Sequence, residues 1–97
     1  MLETFTHDTF AGHLGEAFLI RLDDGNTIET RLAEARTWGS GSDGQRVPFT
    51  LTFRGPLSPV LPQRIYRMEN EGMGAFDLFL VPIGPDAGGM RYEAVFT

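Results

Sequence analysis

The chain has 97 residues and a formal net charge of −5, and 41% of it is hydrophobic, with eight Phe, one Trp, two Tyr and no Cys. A chain of this length builds one hydrophobic core, so we expect residues 1–97 to fold as a single domain. The absence of Cys excludes disulfides, thiolate metal sites and cysteine nucleophiles, and the negative charge disfavours binding to nucleic acid or to anionic membranes.

No apolar run approaches the roughly 20 residues that a membrane-spanning helix needs. The first residues, 1–8, lack the basic region and the apolar core of a signal peptide. We therefore expect a soluble, cytoplasmic protein with no nucleic-acid partner and no membrane partner.

Residues 5–15 predict a short helix near the N-terminus. Thr6 can cap this helix, because its hydroxyl accepts hydrogen bonds from the free amides of the first turn. Gly15 is expected to end it. A helix of about two turns is not stable alone. We therefore expect it to plug one end of the β structure with three apolar side chains, those of Phe5, Phe10 and Leu14.

Residues 16–35 predict a β-hairpin, because apolar side chains recur at every second position on both sides of a turn. A three-residue loop at 23–25 keeps these side chains on one face and pairs Ile20 with Ile28, whereas a two-residue turn mixes the faces. We therefore predict the longer loop, with Gly25 in the left-handed conformation of a G1 bulge.

Residues 37–45 are rich in Gly and Ser and predict a loop. Trp38 stands at the entrance of this loop and has two interpretations. In the first, it caps the core and its indole N–H donates to a backbone carbonyl. In the second, it is a contact residue for a ligand or a partner beside the loop.

Prolines at every third position of 56–62 predict an extended connection after an amphipathic strand at 47–54. This spacing superficially matches the polyproline ligands of SH3 and WW modules. We favour the simpler interpretation, an extended crossover over one end of the β structure. The crossover is expected to pack through three apolar side chains, those of Leu57, Val60 and Leu61.

Three further strands are predicted at 61–69, 76–83 and 90–96, joined by two turns that contain Gly. The middle strand is apolar at almost every position, so we expect it to be central and covered on both faces. Pro82 is expected to end its regular pairing. One face of this strand carries Phe76, Leu78 and Leu80, and the second face carries Phe79, Val81 and Ile83.

Six strands and one short N-terminal helix predict an all-β domain, either a small antiparallel barrel or a small sandwich. Closure into a barrel would remove the exposed strand edges of so small a domain. In a barrel, Arg64 and Tyr66 are expected at one mouth, where the arginine extends into solvent along its aliphatic stem.

The sequence contains no convincing catalytic set, so we expect that the protein is not an enzyme. No serine lies in a nucleophile elbow, and the glycine-rich loop lacks the lysine and the following helix of a phosphate site. His7, Asp8 and His13 have metal-binding residue types, but helical positions as far apart as the two histidines lie on nearly opposite faces. We therefore predict no metal site and no cofactor.

Several strings in the second half of the chain carry a resemblance to a known family. They are Phe-Thr-Leu-Thr-Phe-Arg-Gly-Pro, Leu-Pro-Gln-Arg-Ile-Tyr-Arg-Met-Glu, Leu-Phe-Leu-Val-Pro-Ile-Gly and Tyr-Glu-Ala-Val-Phe. With them the chain resembles a family of small bacterial domains of unknown function, which has no established catalytic residues to transfer. The association of that family with phage-tail-collar-like proteins implies an accessory role in a tail or fibre assembly.

Two hypotheses for the function follow. The first is a non-catalytic structural or adaptor domain of a larger assembly, which associates with another protein or with itself. The second face of the middle strand, Phe79, Val81 and Ile83, is expected to be covered by the helix, by the proline crossover or by another subunit. The second is a small barrel that binds a small molecule at a mouth lined by Trp38, Arg64 and Tyr66.

Overall fold

The computed structural model describes residues 5–39 and 47–97. In these stretches the elements are α1 (His7–Ala11), β1 (Ala17–Arg21), β2 (Thr27–Thr37), β3 (Phe49–Gly55), β4 (Arg64–Asn70), β5 (Gly74–Asp86) and β6 (Gly89–Phe96). The strands form a closed antiparallel barrel in the order β1-β2-β3-β6-β5-β4, with β4 paired back to β1. The predicted all-β fold with one short helix is confirmed, and of the two architectures the barrel is correct. No helix in the described stretches has the length and apolar character to cross a membrane.

The β1–β2 hairpin has the predicted three-residue loop. Ile20 is paired with Ile28, and the amide of Leu22 donates to the carbonyl of Asn26 over 2.8 Å. Gly25 has a φ of 87°, a conformation that a side chain disfavours because its Cβ would crowd the backbone. The longer loop, with Gly25 in the left-handed region, is therefore confirmed.

Alternate side chains on the strands point into the barrel and form one core. The apolar side chains with no exposed surface are Phe10, Phe18, Ile20, Leu32, Phe49, Leu51, Phe53, Met68 and Leu80. Thr30 is equally buried, and its hydroxyl donates to the carbonyl of Phe18 over 2.7 Å. The threonine therefore enters the core without leaving its hydroxyl unpaired.

Helix α1 closes one end of the barrel. Thr6 is its N-cap, as predicted, and forms a capping box with Thr9. Phe5 packs edge-on against Phe10 at a centroid distance of 5.4 Å. Phe10 itself lies 5.6 to 6.1 Å from the rings of three barrel residues, Phe49, Phe76 and Phe96. Two phenylalanines thus plug this end, as predicted.

Two details of the helix prediction are wrong. The helix ends at Ala11 with Gly12 as its C-cap, so Leu14 lies beyond the last turn and is 48% exposed. Leu14 therefore takes no part in the plug. Gly15, which was expected to end the helix, instead has a φ of 82° in the connection to β1.

Strand β5 differs from its prediction in two ways. Its inward side chains are buried, but its second face is the outside of the barrel, where Phe79 is 49% exposed. The expectation of a strand covered on both faces is therefore wrong. Pro82 does not end the pairing either, because β5 continues to Asp86 through an irregularity between Pro82 and Gly84.

The turn between β5 and β6 lies directly on the end of β3. Asp86 is paired with Gly89 across this turn, and a Cβ on Gly89 would collide with the carbonyl oxygen of Gly55. Arg54 holds the same turn, because its Nε and Nη2 donate to the Asp86 carboxylate at 2.7 to 3.0 Å. These hydrogen bonds from Arg54, with one from the Gly88 amide, lower the pKa of Asp86.

Gly89→Ala should destabilise the domain strongly. Its φ is 132°, where a side chain is strained by about 1–3 kcal/mol, and the new methyl group would also collide with Gly55. Gly84→Ala is the matched control, since Gly84 also has a positive φ of 99° but open space at its Cβ position. Urea unfolding should show the larger loss for Gly89→Ala, and equal losses would contradict the close approach.

Candidate functional site

The structure does not bring the predicted mouth residues together. Arg64 and Tyr66 lie at the start of β4, beside the end of β1 and the β1–β2 turn. Trp38 follows the opposite end of β2, a strand of 11 residues. Roughly 30 Å of extended chain therefore separates Trp38 from that turn. Trp38 is 45% exposed, and its backbone amide donates to the carbonyl of Pro48.

The mouth beside the β1–β2 turn is closed by residues 56–63, here called the strap. Leu61 of the strap is buried, and its amide donates to the Tyr92 hydroxyl over 2.9 Å. The Tyr66 hydroxyl donates to the carbonyl of Pro62, and burial raises the pKa of Tyr66. Both tyrosine side chains are buried, so two hydroxyls hold the strap from within the barrel.

The predicted packing of this crossover is correct for one of its three apolar side chains. Leu61 is 6% exposed, whereas Leu57 is 62% exposed and Val60 is 55% exposed. Leu61 is the one buried leucine of the strap, and the hydroxyls of Tyr92 and Tyr66 form hydrogen bonds with the backbone at and beside it. Leu57 and Val60 consequently face outward.

Arg64 lies outside the closed mouth. Its guanidinium carbon is 5.5 Å from the centroid of the Tyr66 ring, and its Nη2 is 3.3 Å from Oδ2 of Asp23. The arginine thus extends along the tyrosine towards solvent, as predicted. The concavity at this place has a volume of about 90 Å³, whereas pockets for small molecules usually enclose about 300–1,000 Å³. With the strap in place, this concavity is far smaller than such a pocket.

The outside of β4, β5 and β6 carries exposed apolar side chains. Ile65 on β4 is paired with Phe79 on β5, and these residues are 63% and 49% exposed. Val95 on β6 is 55% exposed. It lies two residues beyond the last β5–β6 pair, Val81 with Glu93, towards the same end as Phe79. We call this surface the β4–β5 face and define it by Ile65, Phe79 and Val95.

Two other predicted residues, Val81 and Ile83, contribute less to the β4–β5 face. Both are half-buried. The register of β5 against β6 shifts between Pro82 and Gly84, so Ile83 has no partner in the ladder. Its carbonyl accepts a hydrogen bond from Nη2 of Arg91 over 3.3 Å, which ties this segment to β6.

Ile65 is a member of this face that was not predicted as a site residue. The signal for it is present in the β4–β5 turn, because a hairpin that pairs Asn70 with Gly74 also pairs Ile65 with Phe79. The register of one turn would therefore have placed Ile65 beside Phe79.

A shallow groove of about 600 Å³ lies on the outside of β1, β4 and the start of β5. Small and apolar residues and three carboxylates line it, namely Ala17, Leu19, Gly74, Ala75, Glu29, Glu69 and Glu71, with Asn70. Arg21 donates to Glu69 at 2.9 Å, and this hydrogen bond lowers the pKa of Glu69. Arg31 lies 3.2 Å from Glu29. Most of the negative charge at the rim is therefore paired within the barrel wall.

The two histidines make local contacts near α1. Nε2 of His7 lies 3.0 Å from the carbonyl oxygen of Ala35, and Nδ1 of His13 lies 2.7 Å from Oε1 of Glu16. Hydrogen bonds from His13 and from Asn70 lower the pKa of Glu16. Within residues 5–39 and 47–97, no group of three His, Asp or Glu side chains is placed to hold a metal ion.

Tyr92→Phe should destabilise the domain more than Tyr66→Phe. Loss of the Tyr92 hydroxyl leaves the buried amide of Leu61 without a partner, which costs about 1–3 kcal/mol. Loss of the Tyr66 hydroxyl frees the carbonyl of Pro62, an exposed residue that water can reach. Urea unfolding of both variants checks the order, and a larger loss for Tyr66→Phe would contradict this description of the strap.

The chain matches a sequence family over almost its full length. The matched residues are 5–96, and the family is described as Domain of unknown function (DUF6916). No curated protein and no solved structure matches the chain. The match confirms the resemblance at the level of a small domain of unknown function. The chain therefore belongs to the DUF6916 family.

Proposed function

We propose that this domain is a non-catalytic structural or adaptor module that binds protein through the β4–β5 face. The observation that carries this proposal is the pair Ile65 and Phe79, which lies exposed on the outside of a closed barrel. The resemblance to small bacterial domains that accompany phage-tail-collar-like proteins favours a tail-like or fibre-like assembly as the setting.

The β4–β5 face supplies a hydrophobic driving force for association. Full burial of one Phe or Ile side chain contributes about 1.5–3 kcal/mol. Ile65 and Phe79 retain 63% and 49% of their exposure, so covering both contributes about 2–3 kcal/mol in total. Association also costs about 4–15 kcal/mol in lost translational and rotational freedom. The partner must therefore add contacts around this apolar centre.

The interior of the barrel offers little support for a binding or catalytic site. Phe10 covers one end and Leu61 the other, and both are buried. In the described part of the chain, every buried side-chain nitrogen or oxygen has a hydrogen-bond partner. A site for a polar substrate presents convergent polar groups that are free to bind it. Binding of a small molecule at the mouth would first require the strap to release Leu61.

Phe79→Ser should remove the domain from its native complex. The tagged full chain, isolated from cells that make it naturally, is expected in a discrete species of fixed stoichiometry. The serine variant should lose that species, because a polar side chain replaces the centre of the apolar face. The measurement is the composition and mass of the isolated species.

Leu57→Ser is the matched control for this experiment. Leu57 is 62% exposed and lies on the strap, outside the residues that define the β4–β5 face, so its replacement should leave the native species intact. Isolation of the same species from wild type and both variants would contradict the proposed function, as would loss of the species in the control alone.

A further inference from the structure

We propose that the partner of the β4–β5 face is a second copy of this chain, related by a two-fold axis that runs parallel to the strands between β4 and β5. This inference rests on the proposed function and names its partner. It follows from two neighbouring cross-strand pairs on the outside of the barrel. They are the apolar pair Ile65 and Phe79 and the charged pair Arg67 and Asp77.

The apolar pair is self-complementary about this axis. Ile65 lies on β4 and Phe79 lies directly across the ladder on β5. When two such faces meet about an axis between the strands, β4 of each copy lies over β5 of the other. Ile65 of each copy then covers Phe79 of the other. Two exposed side chains per chain, 63% and 49% accessible, thereby form two symmetric contacts.

The charged pair is self-complementary about the same axis. Nη1 of Arg67 lies 3.3 Å from Oδ1 of Asp77, and the two side chains are 53% and 60% exposed. The two-fold axis places Arg67 of one copy opposite Asp77 of the other. A guanidinium has five N–H donors, enough to bind the aspartate of its own chain and that of the partner. The charges therefore attract in the same register that joins the apolar side chains.

The local charges at this face, unlike the net charge of the chain, favour a second copy. The chain has a formal net charge of −5, which opposes close approach of two copies in general. The row of Arg67 and Asp77 carries one charge of each sign and adds none to this repulsion. A row of equal and opposite charges gives no preference for a cationic or an anionic protein, but it matches its own symmetric copy.

The interface is expected to be small and reversible. Two apolar contacts flanked by ion pairs resemble the weak complexes that bury less than about 1,200 Å². Light scattering on the purified protein, from about 10 µM to about 1 mM, should show the mass rising towards twice the 10.8 kDa of one chain.

Charge reversal tests the register. Arg67→Asp alone and Asp77→Arg alone should each hold the mass at that of one chain, because each variant sets like charges against one another across the interface. An equimolar mixture of these two variants should recover the double mass. In the mixed dimer every like-charge contact across the interface becomes a contact between opposite charges.

A pair on β2 provides the matched control. Arg36 and Glu34 are exposed and lie 3.7 Å apart, away from the proposed interface. Arg36→Asp and Glu34→Arg should leave the wild-type mass unchanged, whether alone or mixed. Circular dichroism and urea unfolding verify that all four variants remain folded, as expected from the small contribution of exposed ion pairs to stability.

The outcomes separate this inference from the proposed function. A wild-type mass that stays at one chain over the whole range overturns the inference, as does a dimer that survives Arg67→Asp or a mixture that fails to recover it. If the wild type is monomeric but Phe79→Ser still abolishes the native complex, the face binds a different protein and the proposed function stands. If Phe79→Ser changes neither the native complex nor the mass of the purified protein, the inference and the proposed function are both overturned.

Discussion

The pairing of β1 with β4 closes the ladder of strands, and the rest of the structure depends on that closure. In a closed barrel, each strand must direct alternate side chains to the inside and the outside. The inward side chains pack into one core from the Phe10 end to the Leu61 end. Because helix α1 covers one end and the strap covers the other, the interior side chains stabilise the fold, and our proposal places recognition on the outer surface.

The outer surface of the barrel has two kinds of region. Over much of it, arginines bridge separate strands, as Arg21 of β1 does to Glu69 of β4 and Arg54 of β3 does to Asp86 at the end of β5. These exposed pairs contribute little stability each, but they keep the barrel wall polar. The β4–β5 face differs, since Ile65 and Phe79 lie side by side on it with much of their surface exposed. Our proposal places protein binding on this apolar pair.

Sequence patterns predict the structure correctly where a single turn or strand determines it. The glycine at position 25 and the alternation around it fix the β1–β2 loop, because only one loop length keeps the apolar side chains on one face. Sequence patterns predict the structure wrongly where contacts between residues far apart in the sequence determine it. A period of two separates the faces of β5 but does not say what covers them, so it does not distinguish the exposed Phe79 from a buried residue. The separation of Trp38 from Arg64 depends on strand order and direction, which no local pattern contains.

Hydroxyl-radical footprinting of the native complex tests most directly whether the β4–β5 face binds the protein partner. We expect the oxidation of Phe79 to fall when the complex forms. Trp38 and Leu57 are similarly exposed, at 45% and 62%, and lie outside this face, so their oxidation should stay unchanged. Unchanged oxidation of Phe79 together with protection of Leu57 would contradict this expectation, because it would place recognition at the strap and the barrel mouth.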